Sequence, residues 1–169
     1  VTSINSRFLD GYSYTILKDD EGHRYLYSYV IMYQWGWESV VKKKKYLLDK
    51  ATDFDKAKFF GASAQRTYLI YATGSKLYAY DYVAEKVQLL QDFGDQEITL
   101  LHCDLLVETG AGDDFFYVGT YDPSLPKETG GTLTKYRVVN DPNNIIVEKV
   151  PGFSWSGLCK IKSIDFKKN

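Results

Sequence analysis

"YLIYATGSKLYAYD", residues 68–81, is the stretch on which the reading of this chain turns. Aromatic and β-branched residues run from Tyr68 to Thr73, Gly74-Ser75 interrupts them, and Leu77 to Tyr80 resumes the pattern. Such residues suit a pleated, packed surface. A glycine between two such runs reaches turn conformations that cost other residues energy. The stretch therefore reads as strand, tight turn, strand.

It has relatives along the chain. Gly22-His23-Arg24-Tyr25-Leu26-Tyr27-Ser28-Tyr29 echoes the segment from Gly74 to Tyr80, and Gly130-Gly131-Thr132-Leu133-Thr134-Lys135-Tyr136 is a weaker third copy. Upstream of each copy lies another strand-like run, Tyr12 to Leu17, Thr67 to Ala72 and Phe115 to Thr120. Downstream lies a further one, Ser39 to Leu48, Lys86 to Leu90 and Ile145 to Val150. A fourth follows after a gap: Lys56 to Ala62, Glu97 to Leu105 and Leu158 to Phe166. The period is roughly 40 to 55 residues, in the range of propeller blades.

The expected fold is all-β, with repeated four-stranded antiparallel blades forming a partial or small β-propeller in a single domain over residues 1–169. Blades are expected at 1–50, 54–92 and 97–150, with a closing strand at 156–166. A closed propeller has about four to eight blades. With fewer sets of strands, no starting Met and no leader, the chain reads as the C-terminal piece of a longer one. The third copy is stretched by Asp122-Pro123-Ser124-Leu125-Pro126-Lys127-Glu128-Thr129, an exposed loop in composition, and the first carries an insertion-like Gln34-Trp35-Gly36-Trp37. Asp53 could cap a helix with apolar residues at 54, 57 and 60, but the repeat position favours a strand there. Little helix is expected elsewhere.

The totals agree with this picture. The 169 residues suffice for one domain with a core, and Tyr alone accounts for 15 of them. A tyrosine ring packs on a sheet while its hydroxyl stays wet. The net charge of −1 supplies no field to recruit nucleic acid or an anionic membrane. The run Lys42 to Lys45 reads as a solvated edge strand, where lysines discourage edge-to-edge pairing. No segment reaches the roughly 20 apolar residues needed to span a bilayer, so this segment does not insert in a membrane directly. Cys103 and Cys159 belong to no CxxC motif; buried thiols and a disulfide both remain open.

The run from Tyr68 to Asp81, preceded by Ala62-Ser63, resembles the blade motif of a group of Bacteroidetes cell-surface lipoproteins. These carry an N-terminal lipobox, PKD-like domains and a C-terminal propeller-like region. The ending, Val150-Pro151-Gly152-Phe153 followed by Cys159 to Phe166, is similar as well. The resemblance implies a parent protein tethered to the outer membrane, at the cell surface or in the periplasm, beside outer-membrane uptake proteins as partners. It does not imply an enzyme. The lipobox and PKD-like part are not in this sequence, so the tether belongs to the parent.

Candidate sites are few. His102 and Cys103 are adjacent, so a strand points them to opposite faces, and His102 with Asp104 makes only two ligands. The acidic loop ending in Asp113-Asp114 does not match the calcium-loop spacing, and Asp19-Asp20-Glu21-Gly22 is a similar acidic turn. There is no GxSxG, and no paired carboxylates can be nominated from spacing. No cofactor or metal site is expected. Tyr33, Trp35 and Trp37 stand out as ligand-binding candidates, because flat aromatic faces stack on sugar rings and serve equally as protein hot spots. The expectation is a non-catalytic module that binds a glycan, a peptide or a protein partner. The alternatives are a propeller-based glycan hydrolase or lyase, and a purely structural assembly domain.

Overall fold

The computed structural model describes residues 2–3, 12–34, 37–51, 59–62, 68–81, 83–104, 114–140 and 144–164. Among them every regular element is a strand. The first sheet is β1 (Thr2–Ser3), β2 (Tyr12–Lys18), β3 (Arg24–Gln34) and β4 (Trp37–Leu47). The middle sheet is β5 (Phe59–Ala62), β6 (Tyr68–Thr73), β7 (Lys76–Asp81) and β8 (Lys86–Asp92). The last is β9 (Glu97–Asp104), β10 (Asp114–Tyr121), β11 (Gly131–Asn140) and β12 (Ile145–Leu158). Each sheet is an antiparallel meander in which sequence neighbours are spatial neighbours.

Phe59–Ala62 and Glu97–Asp104, which fall inside the expected blade bounds 54–92 and 97–150, are the first strands of their sheets; β5 pairs with β6, and β9 with β10. One expectation is corrected. The closing strand expected at 156–166 is not a separate element. Residues 156–158 end β12, and Cys159 to Ile164 run outside any strand. Of the segment that could have been helix, Phe59 and Phe60 are strand and 53–58 lie outside the described residues.

Turn chemistry sets the hairpin registers. Thr73 pairs with Lys76 across Gly74-Ser75, and Gly74 has φ +60, the first-position glycine of a two-residue hairpin turn. The carboxylate of Asp81 accepts the backbone N–H of Val83 and Ala84 at 2.9 and 2.8 Å. Asp92 does the same for Gly94, and Asp122 for Ser124, both at 2.9 Å. An aspartate at the end of a strand thus mimics a backbone acceptor and starts the turn.

The middle sheet is covered on both faces. Leu69, Tyr71, Tyr78 and Tyr80 pack with Leu26, Leu48 and Ala51 of the first sheet and the turn after it. Tyr68, Ile70, Ala72 and Leu77 pack with Ile98, Phe116, Val118, Tyr136 and Val138 of the last. That two-sided burial explains why residues 68–72 and 77–80 are all buried. Stacked ring pairs anchor the layers, Tyr71 on Tyr78 at 5.2 Å and Phe116 on Tyr136 at 5.5 Å. Each fully buried side chain of this size contributes about 1.5–3 kcal/mol.

Polar contacts fix how the sheets meet. The carbonyls of Ser75 and Gly74, in the β6–β7 turn, accept the N–H groups of Phe93 and Ile98, which flank the β8–β9 turn. The Gln88 side chain acts as a strand surrogate: its Oε1 accepts the Ile145 N–H at 2.9 Å and its Nε2 donates to the Ile145 carbonyl. Towards the first sheet, the Tyr80 hydroxyl donates to the Leu47 carbonyl at 3.3 Å, and Lys50 pairs with Glu85. Like strands lie against like strands, β5 against β9 and β8 against β12.

Candidate functional site

With its inner face on the middle sheet, the last sheet presents the opposite face outward. The strand that shapes this face is β12. Tyr136 pairs with Lys149 and Thr134 with Ser154, so a two-residue step on β11 faces a five-residue step on β12. The surplus holds Pro151, which has no N–H for the ladder, and Gly152 at φ +77. A proline and a positive-φ glycine on an edge strand are the ordinary ingredients of a bulge. Phe153 ends the surplus and Trp155 follows it in the resumed ladder, and the contact of their rings places both on one face.

Both rings stand open to solvent. Phe153 is 43% and Trp155 42% exposed, and their rings meet edge to face at 6.0 Å. Trp155 lies opposite Leu133, and two residues along β11 on the same face is Lys135. The Lys135 ammonium sits 4.5 Å from the centre of the Phe115 ring, 5.3 Å from Tyr117 and 5.4 Å from Phe153. A cation over aromatic faces gains about 0.5–1 kcal/mol at an exposed site. Next along the face, Arg137 Nε and Nη2 both reach Glu148 Oε2, at 3.1 and 2.8 Å, closing off that cation. The result is an aromatic platform with an ammonium set beside it.

A second polar cluster lies at the β2–β3 turn. His23 Nδ1 is 2.5 Å from Asp49 Oδ2, and Nε2 is 3.7 Å from Glu21 Oε2. The hydrogen bond and charge of Asp49 raise the imidazole pKa, with Asp19 and Glu21 adding to the effect. Burial raises the Asp49 carboxyl, but the hydrogen bonds from His23 and the Arg24 N–H outweigh it and lower its pKa. Carboxylates at both nitrogens favour the protonated ring over the neutral one and tie the turn to the residues after β4. The same turn is tied by the Leu48 N–H to the Arg24 carbonyl at 2.8 Å, next to the first-sheet core.

The residues singled out from sequence fall as follows. Tyr33 lies in β3 opposite Glu38, and Trp37 opens β4 opposite Gln34; their backbones alone are described. Trp35 and Asp113 lie outside the described residues. The pairing of Gln34 with Trp37 makes this segment the tip of the β3–β4 hairpin. Among the described residues that hairpin outruns β2, whose pairing with β3 reaches only to Val30. His102 and Cys103 occupy successive positions of β9, paired with Tyr117 and Phe116, and Cys159 is an exposed free thiol. Among the described residues no three or more His, Cys, Asp or Glu are grouped to hold a metal.

Sequence reasoning does not single out Phe153, Trp155 and Lys135. A signal is present in Pro151-Gly152-Phe153-Ser154-Trp155, a turn pair followed by alternating aromatics. Comparison with protein-family models, with curated proteins and with solved structures finds no match.

Proposed function

We propose that this chain is a non-catalytic binding module whose ligand docks on the outward face of its last sheet. The observation that carries this is the exposed Phe153–Trp155 pair beside Lys135. Exposed aromatic rings on a stiff sheet are what a binding face needs, because little conformational freedom is lost when a ligand settles. The sheets serve as successive blades of a propeller-like stack. What supports that reading is the antiparallel meander repeated in each and the opposition of like strands between the middle and last sheets. The parent is a cell-surface lipoprotein of the outer membrane, taking up glycans or peptides, as the likeness of Tyr68 to Asp81 to such blades suggests.

The test is a glycan and peptide binding screen on the chain, repeated with Trp155→Ala and, separately, with the pair Trp35→Ala and Trp37→Ala. Loss of binding in Trp155→Ala with retention in the pair supports the last-sheet face. Loss only in the pair moves the site to the β3–β4 hairpin tip and refutes a site on the last sheet. Absence of any ligand in the screen counts against a binding role.

A further inference from the structure

We infer that the face around Trp155 takes an acidic carbohydrate, one whose sugar ring stacks on the exposed aromatics while its carboxylate meets Lys135; this rests on the binding role proposed above. Charge is the first reason. Among the described residues the Lys135 ammonium contacts three aromatic rings and no carboxylate, whereas its neighbour Arg137 is already matched by Glu148. Covering this face with an apolar sheet would strip water from a cation that no carboxylate matches among the described residues, which costs several kcal/mol. An occupant that brings its own anion avoids that cost, because a charge-assisted hydrogen bond replaces the lost water.

Shape is the second reason. Phe153 and Trp155 meet at 88° and both are exposed, so they form a corner open to solvent. A pyranose has an apolar CH face that lies flat on such a ring and hydroxyls at its rim. Lys135 stands 5.4 Å from the Phe153 ring, within one sugar residue of the stacked position.

An acidic peptide is the competing occupant, and the edge of the sheet argues against it. Extended peptides bind by adding a strand to a continuous edge. Here the edge strand β12 is interrupted between Lys149 and Ser154, with Pro151 inside the bulge. A continuous run of main-chain donors and acceptors is therefore missing beside the aromatic corner.

The experiment is isothermal titration calorimetry of the 169-residue chain with tetragalacturonate, with a neutral galactose tetramer and with a tetraglutamate peptide. The expected result is binding of tetragalacturonate that weakens with added salt. It falls about tenfold or more in Trp155→Ala and in Lys135→Met, the scale of losing one stacking or one charged contact. Trp155→Phe, which keeps a ring, retains most of the affinity, so a loss in Trp155→Ala is not a folding defect. Equal binding of the neutral tetramer, with Lys135→Met unaffected, overturns the acidic-sugar inference and leaves the binding role standing. Tighter binding of the peptide does the same. If tetragalacturonate fails while the broader screen finds another ligand at Trp155, only this inference falls; if nothing binds in either, both do.

Discussion

Replacing Gly131 with alanine should destabilise the protein by an amount that can be worked from the contacts around it. Gly131 opens β11 and pairs with Leu158. A Cβ built there would lie 2.2 Å from the Cys159 carbonyl oxygen and 2.8 Å from that of Leu158. Both are backbone atoms, so relief requires the chain after β12 to move away by about an ångström, a forced shift of the kind that costs about 1–3 kcal/mol. That segment is held by the Lys160 N–H donating to the Lys127 carbonyl at 2.7 Å, a bond worth about 0.5–1.5 kcal/mol. It is held too by the Lys160 ammonium on Glu97 at 2.6 Å, a pair about one-third exposed and therefore worth at most about 1 kcal/mol. A central expectation of about 3 kcal/mol follows, or roughly 6–12 °C in Tm for a chain of this length. The assay is thermal and urea unfolding followed by far-UV circular dichroism. Gly157→Ala is the control, because it has open space but φ +71 and should cost about 1–2 kcal/mol from backbone conformation alone. If Gly131→Ala unfolds within about 0.5 kcal/mol of the unsubstituted protein, a small surface-type effect, the close approach of β11 to the chain end is wrong.

The two faces of the middle sheet can be probed separately: Leu69→Ala on one side and Leu77→Ala on the other should each cost about 2–5 kcal/mol in urea unfolding. Gln88→Ala removes both hydrogen bonds to Ile145 and should cost about 1–3 kcal/mol, with faster hydrogen exchange at the Ile145 amide as the specific signature. Thr99 is the extra residue where Gly119 pairs with Leu100 and Thr120 with Ile98, and among the described residues its buried hydroxyl has no partner. Thr99→Val should therefore be neutral or stabilising by up to about 1 kcal/mol, read from the urea midpoint. For His23 the sign follows from a raised folded-state pKa: its contribution is complete below the unfolded value near 6.5 and is lost as pH rises through the folded value. Asp49, with a lowered pKa, contributes above its unfolded value and loses this as pH falls through the folded one. Asp49→Asn should bring the His23 titration, followed by NMR of the imidazole, back down towards its ordinary range.

Much of the architecture is written in local chemistry. The pairing of Tyr68–Thr73 with Lys76–Asp81 needs only β-favouring residues on either side of Gly74-Ser75. The aspartates at 81, 92 and 122 start their turns within three residues of sequence, so they too are legible without tertiary information. The repeat located nearly every strand, but it placed a separate closing strand where β12 simply runs on to Leu158. Strand identity depends on local propensity, whereas the length of an edge strand depends on its pairing partner, here Gly131 opposite Leu158.

The site was harder to read for the same kind of reason. Tyrosines such as Tyr71 and Tyr80 read in sequence as strand residues with wet hydroxyls, and only the stacking of sheets decides that both are buried. Trp155 reads in sequence as one tryptophan among three. What singles it out is the bulge at Pro151-Gly152, which re-registers the edge strand and sets Trp155 opposite Leu133, next to Phe153 and Lys135. An all-β chain of repeated antiparallel hairpins follows from the residues alone, because propensity and turn geometry act between near neighbours. Which aromatics are core and which are open follows only from the packed sheets, because burial is a property of the face that a neighbouring sheet covers.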